Sequence, residues 1–380
     1  MAAKRLVYVS RSGPAWDITE VMQSVTWSGD YQQAARKLEV TLLWSDTDPA
    51  FPREVIGNMD NGEMLFLYDD DGEELFQGYL FSVGKNLGST ERSYTAYDGL
   101  IYFVKSKIAQ NFSKTTAQGV TRQVAAELGV EVGTMPDDGA VSLSFAHIAK
   151  PAYEAIMGAW THVKEASDKF YLPVMNAGVL GVVEMGATLA DRILTPSTDL
   201  VAGEVTSSIE DAITKVLVVS KTGKTLATAE DAEDRALYGL LQAAVQKEDG
   251  KDAQTQADDL LKGADQQISL SEIIGGQDAL DMLTGNAILV EEPSTGLHGQ
   301  FYIINDTHTF SNGQHKVALG LDFEGMMDEV EVELKKASKK KKHPVDNSNP
   351  WQKWEEYGRN GEVTTSGRFN SYTGQVEYIQ

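Results

Sequence analysis

At 380 residues the chain exceeds what one ordinary core accommodates and predicts two to four domains. Lys and Arg number 33 against 56 Asp and Glu, a formal charge of −23, which argues against a surface that wraps the phosphates of DNA or RNA. Cysteine is absent, so disulfide frameworks, thiolate metal sites and cysteine nucleophiles are excluded together.

The apolar run that opens the chain, Leu6-Val-Tyr-Val, has strand length and is too short for a signal-peptide core. No stretch reaches the roughly 18 to 20 apolar residues of a bilayer span, and the chain is expected to be soluble and made in the cytoplasm. Residues 1–110 alternate with the two-residue period of half-buried strands: Leu38-Glu-Val-Thr-Leu-Leu-Trp, Met64-Leu-Phe-Leu-Tyr, Leu75-Phe-Gln-Gly-Tyr-Leu-Phe and Ser93-Tyr-Thr-Ala-Tyr. The Asp71-Gly72 step between two of these runs predicts a hairpin turn, because Gly accepts positive φ.

Residues 111–198 predict a small α+β domain. A helix begins near Thr115 and is closed by Gly129, a second spans about Ala152 to Ala166, and the runs at Phe170 and Val179 form a short hairpin. Residues 199–334 return to strands, including Lys215-Val-Leu-Val-Val, Ala287-Ile-Leu-Val-Glu, Gln300-Phe-Tyr-Ile-Ile and Val317-Ala-Leu-Gly-Leu, with a helical insertion expected over 229–263. Residues 335–380 change character, with six lysines between 335 and 342 followed by an Asn, Gly, Ser and Thr-rich stretch dotted with aromatics.

Self-comparison adds a repeat. Gly62 to Leu80 can be laid without gaps over Gly285 to Ile303, each reading glycine, strand, acidic turn, strand. Upstream, Ser24-Val25 before Leu38–Trp44 resembles Ser208-Ile209 before Lys215–Val219. Two unrelated β domains would share the alternation. A true duplication gives one chain two similar β units, so that a closed trimer presents six.

Motifs of chemistry are sparse. Thr222-Gly-Lys-Thr ends like a phosphate-binding loop, but Val218 stands where the pattern requires glycine, and a hairpin turn is the expectation. Asp69-Asp-Asp-Gly opens like a calcium loop, yet Leu67 breaks the acidic spacing. His308 and His315 flank an Asn312-Gly313 turn and are expected as diagonal neighbours on a hairpin, two imidazoles without a third ligand. The acidic pairs Glu73-Glu74, Glu291-Glu292 and Asp258-Asp259 are expected at turns or on a helix face, and neither G-x-S-x-G nor H-E-x-x-H occurs. No cofactor, metal or catalytic residue is expected, and the chain reads as a structural assembly protein. A tail-associated enzyme degrading peptidoglycan or carbohydrate is the alternative, since two carboxylates facing across a cleft leave no sequence signature; a cell-surface binding module is a third.

The segment order resembles the hub proteins of phage tails and tail-like particles, of the late-control-gene-D and XkdQ/YqbQ type. The resemblance covers about residues 15–330. It rests on Ser207-Ser-Ile-Glu-Asp-Ala-Ile-Thr-Lys-Val-Leu-Val-Val, Tyr238-Gly-Leu-Leu-Gln, Ala257-Asp-Asp-Leu-Leu, Gly299-Gln-Phe-Tyr-Ile-Ile and His308-Thr-Phe-Ser-Asn-Gly-Gln-His. It implies an α+β chain with two similar antiparallel β-barrel-like tube domains, a small α+β domain between them and the helical insertion in the second. It also implies a homotrimeric baseplate hub that joins the six-fold tail tube to a three-fold spike in a contractile phage, defective prophage or bacteriocin particle. Its partners would be the tail-tube ring, the central spike and baseplate wedge or tape-measure proteins, with no membrane and no stable nucleic-acid binding. Its place would be the bacterial cytoplasm during assembly and the particle afterwards.

Residues 335–380 have no counterpart in the resemblance. Seven Lys and two Arg stand there against five acidic residues, a net +4 that leaves −27 on residues 1–334. The composition is that of a segment unable to bury a core, so docking on another surface is expected. Lys335, Lys336, Lys339, Lys340, Lys341 and Lys342 are expected to meet an acidic surface, and Trp351, Trp354 and Tyr357 to anchor in a neighbouring chain.

Overall fold

The computed structural model describes residues 5–197, 199–248, 250–334, 351–357, 363–370 and 376–379. The chain divides into a body, residues 1–334, and a C-terminal unit, residues 335–380.

The body begins with β1 (Arg5–Val9), β2 (Ala15–Asp17), β3 (Met22–Asp30) and β4 (Gln33–Leu43), followed by helix α1 (Arg53–Asn58). Then come β5 (Met64–Tyr68), β6 (Glu74–Lys85) and β7 (Glu91–Tyr97). In each strand the alternate residues that face inward are the apolar ones, so Leu6, Tyr8, Val25, Leu38, Val40, Leu65, Leu67, Leu80 and Tyr94 share one buried core. Strand order in this first unit is β3-β4-β7-β6-β5-β1-β2, antiparallel throughout.

The middle of the chain packs α2 (Leu100–Lys105), β8 (Lys107–Thr115), α3 (Ala117–Glu127), β9 (Leu143–Pro151), α4 (Ala152–Ser167), β10 (Tyr171–Asn176) and β11 (Val179–Glu184). Thr116 caps α3 by accepting from Gly119 N, and Gly129 with φ of 70° closes it. Helix α4 is buried on most of its faces; the ring of its Trp160 lies 4.7 Å from that of Tyr171, tilted by 43°, and its indole N–H donates to Thr121 Oγ1. Gly158 lets the segment that ends the body lie against α4, since a Cβ there would sit 2.4 Å from Val332 Cγ1.

The second unit holds β12 (Leu189–Leu194) and β13 (Leu200–Ser208), an insertion, and then β17, β18, β19 and β20. The insertion contains β14 (Lys215–Val219), β15 (Thr225–Glu230), α5 (Ala232–Tyr238), β16 (Gln242–Gln246) and α6 (Ala253–Asp258), with β15-β14-β16 as a sheet of their own. The later strands are β17 (Asp265–Ile274), β18 (Ala287–Glu292), β19 (Leu297–Ser311) and β20 (Gln314–Asp322). Their order is β13-β17-β20-β19-β18-β12.

Strand for strand this repeats β3-β4-β7-β6-β5-β1, in space and along the chain. The register repeats as well. Met64 faces Tyr79, Leu65 faces Gly78 and Phe66 faces Gln77; Ala287 faces Tyr302, Ile288 faces Phe301 and Leu289 faces Gln300. Gly62 (φ 81°) donates to Leu80 O, and Leu80 donates to Glu63 O; Gly285 (φ 98°) donates to Ile303 O, and Ile303 to Asn286 O. A β-bulge interrupts each following pair at one place, Phe81 between Leu80 and Ser82 in β6 and Ile304 between Ile303 and Asn305 in β19.

Three expectations change. The units do not close into barrels: among the described residues all thirteen strands belong to one open sheet, because β3 bonds outward to β19 rather than back to its own unit. The run Lys215–Val219 belongs to the inserted sheet, where it pairs with the β15 hairpin and in parallel with β16; the counterpart of β4 is therefore β17. Apolar alternation identifies a strand without identifying its sheet. The insertion is also less helical than its composition predicts, since Gly239 (φ 88°) ends α5 and Gln242–Gln246 is extended.

The C-terminal unit forms a three-stranded antiparallel sheet of β21 (Trp351–Tyr357), β22 (Val363–Asn370) and β23 (Val376–Ile379), in that order.

Candidate assembly interface

The two units meet at a seam of backbone hydrogen bonds. Strand β19 has 15 residues and serves two partners along one edge: its first half pairs with β18, ending at Tyr302, and from Asn305 to Ser311 it pairs with β3. Ser24, Thr26, Ser28 and Gly29 on β3 face Ser311, Thr309, Thr307 and Asp306, small or β-branched residues that let the two strands approach. On the inner face Val25 and Trp27 meet Phe310 and His308, all nearly inaccessible to solvent. Phe310 joins the core of the first unit, so the hydrophobic interior continues across the seam.

A charge pair sits at that junction, its carboxylate fully buried and its guanidinium one-fifth exposed. Arg36 Nη1 and Nη2 donate to the two oxygens of Asp306 at 2.9 and 2.5 Å, and Thr284 adds its backbone N and Oγ1 at 2.7 and 2.6 Å. The guanidinium passes over Gly29, where a Cβ would lie 2.3 Å from Nη1, and rests 4.5 Å above the Trp27 ring. Burial by itself would raise the Asp306 pKa; the charge and hydrogen bonds of Arg36, then His308 and Thr284, outweigh it and hold the carboxyl below its ordinary value. A one-residue slip of β19 against β3 would turn Asp306 away from Arg36 and leave both without a partner, so the pair fixes the register.

Around it, His308 Nε2 donates to Met282 O at 3.1 Å, and His308 Nδ1 lies 3.0 Å from His315 Nε2. The two histidines are thus diagonal neighbours across the Asn312-Gly313 turn, and both are buried. Asp98, also buried, accepts from the backbone N–H groups of Arg36 and Leu100 and so fastens β4 to the start of α2. Burial pushes its pKa up to about 7 against the opposing pull of those bonds and of Arg36.

The sequence candidates fall elsewhere. Thr222-Gly-Lys-Thr lies in the β14–β15 hairpin, closed by Ser220 N donating to Lys224 O, with Gly223 at φ 81°. Asp69 Oδ1 accepts from the N–H groups of Asp71 and Glu73, and its Oδ2 accepts from Gln277 Nε2 at 2.6 Å, so the acidic turn of the first unit is tied to the second. Glu292 accepts from Ser294 and Thr295 within the matching turn. Among the described residues no group of three or more His, Asp or Glu is placed to hold a metal ion. No described helix is long and apolar enough to cross a membrane.

Lys335, Lys336, Lys339, Lys340, Lys341 and Lys342 lie outside the described residues, while Trp351, Trp354 and Tyr357 are on β21. Sequence reasoning missed the Arg36–Asp306 pair, whose members stand 270 positions apart. The available signal was Gly29 inside a strand run, a mark of close approach by another group.

Comparison with known proteins places this architecture. A model of the family described as YQBQ-like matches residues 25–322. Phage-like element PBSX protein XkdQ of Bacillus subtilis is 24% identical over 320 residues, 81% of this chain and 94% of that protein. Among solved structures, the 43 kDa tail protein of prophage MuSo2 from Shewanella oneidensis superposes with a TM-score of 0.61 at 12% identity, covering 84% of this chain and 98% of its own. The tail protein from Neisseria meningitidis MC58 gives 0.59 at 14% identity, covering 84% and 96%. At such identities these two likenesses concern the fold.

Proposed function

The chain belongs to the YQBQ-like family, and from that premise we propose that it is a structural hub protein of a phage tail or tail-like particle, working by shape and interface burial rather than by catalysis. The observation that carries the reading is the repeat. Two units of one strand order and one register stand edge to edge in a single sheet, so three chains offer six equivalent surfaces. A trimer of this kind can seat on the six-fold ring of a tail tube on one side and on a three-fold spike on the other. The relatives named for a phage-like element and for prophage tails support that setting.

In this reading the net charge of −23 keeps passing DNA from adhering to the hub, by a field that salt screens beyond roughly 8 Å. Residues 335–380 act as a docking element: the lysines from Lys335 to Lys342 meet an acidic surface, and Trp351, Trp354 and Tyr357 anchor on a neighbouring chain of the baseplate.

Native mass spectrometry tests the core of the proposal. A species of three 41.5 kDa chains, alone or on mixing with the spike, is expected. A chain that stays monomeric at every concentration and with every tail component overturns it. Zymography on cell walls checks the enzymatic alternative, for which no clearing is expected.

A further inference from the structure

The seam inside the chain specifies what is missing at its two ends. In the first unit β3 is joined along its outer edge; in the second its counterpart β13 pairs only with β17 among the described residues, and its outer edge is open. In the second unit the distal half of β19 carries β3; in the first its counterpart, residues 82–85 of β6, pairs only with β7 among the described residues. Each unit therefore has one half of the same joint unoccupied, and the halves are complementary.

The side chains at the open edges agree. At the seam, Tyr31 N donates to Ile304 O, and Phe310 is buried against Val25. The equivalents of the first contact are Ile209 and Phe81, with exposures of 41% and 37%. Nor are the edges guarded: β13 contains no proline and a single charge, Glu204, and residues 82–85 carry only Lys85, of opposite sign.

We infer that a second copy of this chain closes the joint: β13 of one chain pairs antiparallel with the distal half of β6 in the next, Ser208 opposite Ser82, Ser207 opposite Val83, Thr206 opposite Gly84 and Val205 opposite Lys85. This register follows from superposing the equivalents of the seam pairs Asp30/Asn305 to Trp27/His308. It places Val205, which packs on its own unit's core, on the same face as half-buried Val83, as inward-facing residues require. The inference rests on the trimeric hub reading and gives it a chemical contact.

The joint between chains differs from the one within the chain in a way suited to assembly. Val83 stands where the seam has Asp306. A buried ion pair can form when both partners fold together, whereas in a chain awaiting its neighbour either charge would stand unpaired at the interface. Backbone bonds and apolar contacts carry no such penalty.

The test uses the absence of cysteine. Because Tyr31 and Ile304 form a hydrogen-bonded pair, Asp30/Asn305 and its equivalent Ser208/Ser82 are non-hydrogen-bonded, with Cα atoms about 4.5 Å apart in such ladders, inside the disulfide range. The full chain carrying Ser82→Cys with Ser208→Cys, oxidised with oxidised glutathione, should run as a covalent trimer on a non-reducing gel and return to one chain with reductant. The shifted pair Ser82→Cys with Thr206→Cys should link far less, and each single variant should form no trimer. In parallel, Phe81→Asp with Ile209→Asp should convert the trimer to single chains by light scattering. A chain that is trimeric in solution but gives no link, or whose trimer survives both aspartates, overturns the pairing and leaves the hub reading standing. A chain that is monomeric and unlinked overturns both.

Discussion

The two β units share strand order, register and bulge, yet they differ in everything attached to that frame. The first unit leads in with β1, antiparallel to β5, whereas the second leads in with β12, parallel to β18. The first joins β3 to β4 by a two-residue turn, and the second places an entire subsheet with two helices between β13 and β17. In the five strands that keep their pairing, a slip of one residue would turn every buried side chain outward. The lead-in strands also bury apolar residues, Leu6 and Tyr8 on β1 and Ala190 and Leu194 on β12, yet they meet their neighbours in opposite directions, and the connections between strands differ freely.

The same contrast separates the occupied joint from the open ones. Asp306→Ala should be the most damaging single change, since it leaves Arg36 and Thr284 facing an unpaired, buried space; a loss of about 3–5 kcal/mol is expected in urea unfolding. The equivalent change Val83→Ala should cost a small fraction of that. Equal losses would mean that the charge pair does not distinguish the two sites.

Two buried carboxyls should respond to pH with opposite sign. The folded pKa of Asp306 is depressed, so its contribution is present above the unfolded value near 3.8 and is lost as pH falls through the folded value. The folded pKa of Asp98 is raised to about 7, so the stability given by its neutral form is complete below about 3.8 and is lost as pH climbs through about 7. Asp98→Asn should therefore flatten the stability profile between those limits, removing a slope of up to about 1.4 kcal/mol per pH unit. An unchanged profile would refute this.

Gly62→Ala and Gly285→Ala probe the repeat directly. Both glycines hold positive φ at the mouth of the same hairpin, and each substitution should lower stability by about 1–2 kcal/mol in thermal unfolding. A large difference between the two would weaken the equivalence. The smallest effect on folding is expected from Phe81→Ser and Ile209→Ser, exposed in the single chain and so within about 0.5 kcal/mol of the parent. Their consequence should appear only in association. Removal of residues 335–380 should likewise leave the body's unfolding transition in place while lowering particle yield.

The sequence made local features readable and left distant ones hidden. The hairpins at Asp71-Gly72 and Asn312-Gly313 could be read because alternation and a turn glycine coincide within a few residues. The overlay of Gly62 on Gly285 holds to the individual hydrogen bond, since a fixed register preserves spacing even where side chains have changed. What could not be read was partnership. Lys215–Val219 announces a strand but not its sheet, and nothing near Arg36 points to Asp306. The strands at Trp351, Val363 and Val376 were obscured by a polar composition that resembles a coil.

The bulges at Phe81 and Ile304 carry one more implication. A joint made from two different edges repeats head to tail, so each added chain rotates the growing body by a fixed angle, and the array closes only when that angle is one third of a full circle. Bulges set the local bend and twist of the strands that form the joint. A deletion that straightened one of them would alter the rotation per chain, and the same contacts would then build an open helical filament in place of a ring.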